Sequence, residues 1–500
     1  MLEKIIAFFK SLFGGGKSKK PTTPTPRSTP VTTNPPKTKP KPQPQPKPKP
    51  KPVVQEKINF TPPTTTLYLG CYDENVNPAK IEELLKLYHI GMVGVADNVR
   101  YKKFRHGDLF DWVDPKKLNG DSVSVLQKFL NKAGFLPYAY QVDGVFGYAT
   151  QAAVRLFQEY VRTIEKNNSI GIPDGVIGKN GWSHIKRWAD NHKTAEAWAR
   201  SKQSPEFTKW LSLLSKAKAH YKTNSHPILG KVNEMVETLG SSNVDTLKLS
   251  DWNTATDEVH LIGVRRKEEE GKGVGKRLND DLFILLINGM VFKFWGSTDP
   301  NYKPGARPDE AFLVEGQHKF RFGWHNRSQS NQNKVYQGLN PFTKGVLVFR
   351  DRNNDNKLTD ADIQSGGIDK AANNTINIHW TGAGKGASGT WSAGCQVFAG
   401  QNYINNNGDL VDCSKFAGAG TKSLTNRATN KSAASLSMTK GAYNMFTDLV
   451  LLYRPKNVDY MYYTLGRDET FAHKFVIDMA GNDMLSDTLS KFKLPGDQMG

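Results

Sequence analysis

The stretch "NIHWTGAGKGASGTWSAGCQVF", Asn377 to Phe398, places a histidine sixteen positions before a cysteine that is preceded by Ser392, Ala393 and Gly394. A free thiol, with a pKa of ~8.5, is a poor nucleophile at neutral pH and needs a base or a positive field beside it. His379 supplies that base if the strand carrying "TINIH" lies next to the one beginning at Cys395. The Gly-rich loop "TGAGKGASGT" is long enough to close that separation. Gly394 would let a carbonyl approach the backbone, and the amides of Gly394 and Cys395 could receive an oxyanion, with Ser392 hydrogen-bonding inside the site. Against this stands the commoner fate of a cysteine, which is to be buried and inert. A zinc site built from His379, Cys395 and Cys413 is disfavoured, because the spacing matches no common ligand pattern.

A second constellation is "DRNNDNKLTDAD", beginning at Asp351. Oxygen donors fall at loop positions 1, 3, 5, 9 and 12, namely Asp351, Asn353, Asp355, Thr359 and Asp362, with the Lys357 carbonyl at 7. The run resembles EF-hand and dockerin-type loops and implies a structural calcium ion. It departs at position 6, where Asn356 replaces glycine, and at 12, where aspartate replaces glutamate and should weaken binding. A solvated acidic turn without metal is the alternative. "GKGVGKR" (Gly271 to Arg277) imitates a phosphate-binding loop, but its spacing is one short and no Ser or Thr follows Lys276. No organic cofactor is implied.

These groups must be held by the elements around them. From about Leu247 the chain alternates strands with Gly and Asn turns: "EVHLIGVRR", "DLFILLINGMVFKFWG", "HKFRFGWH", "GVLVFRD", "NTINIHW", "CQVFAG" and "DYMYYTLGRD". "INGM" predicts a hairpin between Leu286 and Val291. Upstream the texture is helical. "PAKIEELLKLYHIG" reads as a helix, Ser122 to Trp188 as a helical cluster, and "TAEAWARSKQSPEFTKWLSLLSKAKAHY" as an amphipathic connector. Pro21 to Pro52 holds thirteen of the 27 prolines and cannot pack a core. As an extended polyproline spacer at ~3.1 Å per residue it would reach about 100 Å. Ahead of it, Leu2, Ile5, Ile6, Phe9, Leu12 and Phe13 fall on one helical face, which suits a membrane surface or a docking or delivery protein.

The predicted organisation is therefore multidomain. An amphipathic helix (1–13) and a disordered Pro/Lys-rich linker (14–63) come first. An all-α three-helix module (64–195), a helical connector (196–246), a mainly-β unit (247–470) and a helical tail (471–500) follow. The formal charge is +20, and half of it lies between Lys17 and Lys51, where ten basic residues meet no acidic one. Such a tail is drawn to polyanions, yet no nucleic-acid-binding module is present to single out nucleic acid. Cys71, Cys395 and Cys413 form no CxxC pair, so this is not a disulfide scaffold. No stretch reaches the roughly 20 apolar residues of a spanning helix, and no secretory signal is expected at the N-terminus.

Two resemblances give these elements a function class. "SVSVLQKFLNKAGFLPYAYQVDGVFGYATQAAVRLFQEYV" resembles the peptidoglycan-binding-like domain of bacterial wall hydrolases, with Asp143, Gly144 and Gly147 shaping a turn and Thr150 expected to cap the next helix. A partial echo, "IPDGVIGKNGWSHIKRW", recurs 31 residues later. The stretch around Cys395 resembles the catalytic motif of L,D-transpeptidases (YkuD-type domains). That resemblance makes His379 the base, Ser392 the motif serine, Gly394 its glycine and Cys395 the nucleophile. Ala393 departs from it, since the family usually carries a second histidine there. Together they imply a cell-envelope enzyme acting on peptidoglycan stem peptides by cysteine-dependent acyl transfer or hydrolysis. The alternatives are a non-catalytic wall-binding scaffold, or a lysin-like effector delivered by a phage-like or contractile device rather than by a Sec route.

Overall fold

Strand texture becomes a closed barrel. Its eight strands are β1 (His260–Arg265), β2 (Asp281–Ile287), β3 (Met290–Ser297), β4 (Gly316–His325), β5 (Tyr336–Pro341), β6 (Ile378–Thr381), β7 (Gln396–Ile404) and β8 (Met461–Arg467). They neighbour one another in the order β5-β6-β7-β3-β2-β1-β8-β4, and β4 pairs back onto β5, so the sheet has no free edge within this ring. This computed structural model describes residues 59–79, 81, 115–137, 142–196, 198, 202–266, 277–300, 310–325, 336–351, 362, 367–389, 392–417, 439–455, 458–467 and 470–471. The expected N-terminal helix, the linker up to residue 58, most of "PAKIEELLKLYHIG" and the tail beyond Phe471 lie outside them.

The hairpin predicted at "INGM" is present. Asn288 and Gly289 both take positive φ, 49° and 74°, the pairing a two-residue turn between right-twisted strands demands. Every residue of β2 and β3 is buried, because each strand is covered on both faces. Phe283, Leu285, Phe292 and Phe294 join Phe398 of β7 and Tyr463 of β8 in an aromatic core. Their alternates Leu282, Ile284, Leu286 and Trp295 face the other way, under Phe207, Trp210, Leu211 and Leu214 of helix α4 (Pro205–Tyr221). Helix α5 (Pro227–Leu239) covers a short flanking pair, Ala311–Leu313 with Val348–Arg350.

β6 and β7 pair in parallel, as do β8 and β1, while the other barrel neighbours are antiparallel. Parallel neighbours cannot be joined by a tight turn and need a crossover of about a dozen residues. This is the physical reason for the Gly-rich stretch between Thr381 and Gln396.

The helical module is three helices, α1 (Ser122–Ala133), α2 (Tyr148–Thr163) and α3 (Lys179–Asp190). Its 31-residue echo is a duplicated clamp. Gln127 donates to Asp143 Oδ1 (2.8 Å) and the Val145 carbonyl, and accepts from the Gly144 amide. Gln158 repeats these contacts on Asp174, Val176 and Gly175. Thr150 does not cap α2. The helix starts two residues earlier after Gly147, and the Thr150 hydroxyl is held by Gln127 at 3.1 Å. The carboxylate of Asp73, remote in sequence, accepts the first amides of α1, from Val123 and Ser124, both at 2.8 Å.

Helix α6 (Ala442–Tyr453) joins the module to the barrel. Phe446 stacks on Phe398 at 4.5 Å, while on the side of α2 Asp448 receives Arg155 in a two-point ion pair (2.7 and 2.5 Å) that is almost fully buried. Tyr403 of β7 donates to Glu159 of α2, and Trp198 meets Phe292 edge-on at 6.0 Å. One apolar core thus runs from the helices into the barrel. None of the three cysteines is in a disulfide, and no helix among the described residues is long and apolar enough to cross a membrane.

Candidate active site

The parallel register of β6 and β7 decides what meets what. Ile378 pairs with Gln396 and His379 with Val397, which carries Asn377 opposite Cys395. Alternation sends Ile378, Gln396 and Phe398 to the core face and places Asn377, His379 and Cys395 together on the opposite face. Gln396 is anchored inside, accepting from the Tyr463 hydroxyl (2.8 Å) and donating to the Thr298 carbonyl (3.1 Å), so β7 cannot slip beneath its neighbouring cysteine.

Cys395 is half-buried. Its Sγ donates toward the Thr375 carbonyl at 3.4 Å and accepts from the Asn377 amide at 3.3 Å. Burial disfavours the charged imidazolium of His379, which is 6 % exposed, and pushes it down to about 4. The ring is therefore neutral at pH 7. Its Nδ1 faces the Trp380 carbonyl at 3.2 Å. A carbonyl only accepts, so Nδ1 carries the proton and Nε2 presents its lone pair, as a general base requires.

Ser392 and Gly394 come to the same strand end. The Gly394 and Cys395 amides converge on Ser392 Oγ, at 3.2 and 2.7 Å. The two donors expected to serve an oxyanion already meet on one oxygen, and a substrate oxygen would reach them only after the Ser392 hydroxyl turned away. Gly394 has φ of 136°, and a Cβ there would lie 2.6 Å from the Ala311 carbonyl, so no other residue fits.

Three residues that the sequence reading did not single out complete this face. His325, at the end of β4, stacks on His379 with ring centroids 4.3 Å apart and 20° between planes. Asn377 Nδ2 reaches His325 Nδ1 at 3.2 Å, and Asn340 of β5 donates to Asn377 Oδ1 at 2.7 Å. Asn377 was findable, because it precedes His379 by two on a strand. His325 comes 54 positions earlier than His379 and meets it only through barrel closure.

Of the residues assigned to the calcium loop, Asp351 and Asp362 are described and both are buried. Asn353, Asp355, Lys357 and Thr359 lie outside the described residues. A Cβ on Gly367 would lie 3.0 Å from the Asp362 carbonyl and 3.3 Å from that of Arg350, so the described residues on either side of the acidic run both reach Gly367. Arg350, the residue before Asp351, pairs with Ala311, the residue packed on Gly394. Among the described residues alone no group of three or more His, Cys, Asp or Glu side chains is placed to hold a metal.

Residues 119–183 match the family described as "Putative peptidoglycan binding domain", which spans helices α1 and α2 and both glutamine clamps. No curated protein and no solved structure matches the chain. The matched module supports peptidoglycan as a partner and association with the cell wall.

Proposed function

We propose that the barrel carries a cysteine acyl-transfer site for peptidoglycan stem peptides, similar in chemistry to L,D-transpeptidases, on a chain that the helical module brings to the wall. The observation that carries this reading is the shared face of β6 and β7, where a neutral imidazole with its Nε2 lone pair available lies diagonally across from a half-buried thiol. The Cys395 proton moves to His379 Nε2 as Sγ forms a bond to the stem-peptide carbonyl carbon. The C–N bond then breaks, the leaving amine takes the proton from His379, and a thioester remains on Cys395. An acceptor amine or a water molecule attacks that thioester and releases the thiol. A calcium ion held by donors from Asp351 to Asp362 would order that segment and take no part in bond making.

Incubation of the full chain with purified sacculi, followed by mass analysis of muropeptides, tests the reading. Cys395→Ala replaces a thiol by a methyl at little packing cost and should abolish all processing while the melting curve is unchanged. Processing at the parent rate would remove Cys395 from the mechanism. One observation favours a second reading, in which the barrel is a non-catalytic scaffold: Ser392 Oγ occupies both amides that an oxyanion would use. That reading expects the parent to bind sacculi and leave every muropeptide mass unaltered.

A further inference from the structure

We propose that His325 is a positioning residue for His379, its stacked ring fixing the plane of the His379 imidazole and hence the direction of the Nε2 lone pair toward Cys395. The inference rests on the reading of His379 as the base. At 4.3 Å and 20° the two ring faces are in contact, so His379 can turn about its side-chain axis only if His325 gives way. His325 is itself held. Asn340 Nδ2 donates to Asn377 Oδ1, which leaves the Asn377 amide nitrogen to donate to His325 Nδ1. His325 Nδ1 is therefore an acceptor and its Nε2 carries the ring proton.

Asn377 touches both halves of the site, its backbone amide on Cys395 Sγ at 3.3 Å and its side chain on His325. A shift of the second histidine is thus transmitted to the thiol as well as to the base. Among the described residues, the titratable groups set beside His379 on this face are His325 of β4 and Cys395 of β7. Arg321 lies four residues back from His325 on the same strand and face. No charged side chain is among the causes of the His379 shift, which are burial and the Trp380 carbonyl.

The test reads the thiol directly and needs no peptidoglycan. The full chain is alkylated with iodoacetamide between pH 5.5 and 8.5, and the rate at Cys395 is followed by peptide mapping, which separates it from the buried Cys71 and Cys413. A neutral base keeps assisting the thiol on the acid side, where an unassisted thiol is nearly silent. At pH 6 the parent should label at least fivefold faster than His379→Ala. His325→Ala should close most of that gap, Asn340→Ala should move the same way, and His325→Phe, which retains a ring face, should keep at least half the parent rate.

If His325→Ala matches the parent while His379→Ala is slow, the inference is overturned and the base assignment stands. A His325→Phe chain as slow as His325→Ala overturns it too, because the ring face would then not be what matters. If His379→Ala labels like the parent, the base assignment falls and the inference with it. Should His325→Ala fail to fold, the phenylalanine and Asn340 variants decide the matter.

Discussion

Acid should unfold this protein partly through His379, and the size of that effect follows from its burial. The imidazole ordinarily titrates near 6.5 and is pushed down to about 4 in the folded chain. The unfolded chain therefore takes up a proton that the folded chain refuses between these values. The stability this contributes is complete above pH 6.5, is lost as the pH falls, and is gone below about 4. A difference of about 2.5 pH units at 1.36 kcal/mol each is ~3 kcal/mol in all, with ~2.5 kcal/mol lost by pH 4.5. Other groups titrate over the same range. His318, fully buried and pushed down to about 3, adds in the same direction, whereas burial lifts Asp448 to about 6 and acts oppositely. The measurement must therefore be a difference. Urea unfolding of the parent and of His379→Gln, followed by tryptophan fluorescence at pH 7 and pH 4.5, isolates the single residue. The parent should lose ~2.5 kcal/mol more than the variant between the two pH values, on the 1.36 kcal/mol scale. Parallel losses, within ~0.5 kcal/mol, would mean that His379 titrates like an exposed histidine, and the argument for a buried neutral base would collapse.

Two further outcomes are expected. Asp448→Ala leaves the Arg155 guanidinium buried without its carboxylate and should cost about 3–5 kcal/mol, whereas Arg155→Met combined with Asp448→Leu should recover most of it; a loss under ~1 kcal/mol for the single variant would show that the pair does not hold the module to the barrel. Calcium at a hundredfold excess over its Kd should add ~2.7 kcal/mol, raising the melting temperature in a way that Asp351→Ala with Asp355→Ala erases and magnesium does not reproduce; identical melts in calcium and in chelator would leave only an acidic turn.

How much was legible beforehand varied with the range of the interaction. Local signals read well. The Asn288–Gly289 hairpin, the strands around "FILLI" and "VFKFW", the three helices and the turn at Asp143 and Gly144 all depend on neighbours in sequence. That His379 and Cys395 share one face of neighbouring strands could be anticipated, because a crossover length and a strand parity suffice to place them. Thr150 misled, since a hydroxyl near a helix start reads as a cap until Gln127, on another helix, claims it. Helix α6 gave no periodic signal, because "AYNMFTDLVLLY" is buried nearly all round and has no polar face to alternate with. His325 and Asn340 were invisible for a different reason. Only closure of β4 onto β5, and of β5 onto β6, brings them to the site, and no local pattern encodes a ring.

The ion pair between α2 and α6 also sets a schedule. Arg155 and Asp448 stand 293 residues apart. At ~5–20 residues per second, a ribosome that has finished α2 needs ~15–60 s to deliver α6. The last barrel strand, β8, emerges later still. Through that interval the face of α2 that carries Arg155 and Glu159 has no barrel to meet, and β1 lacks its parallel neighbour. A nascent chain of this kind is exposed to chaperones, proteases and aggregation for most of its synthesis. The contacts that α6 and β8 make with the helical module and the barrel can form only after residues 442–467 have emerged.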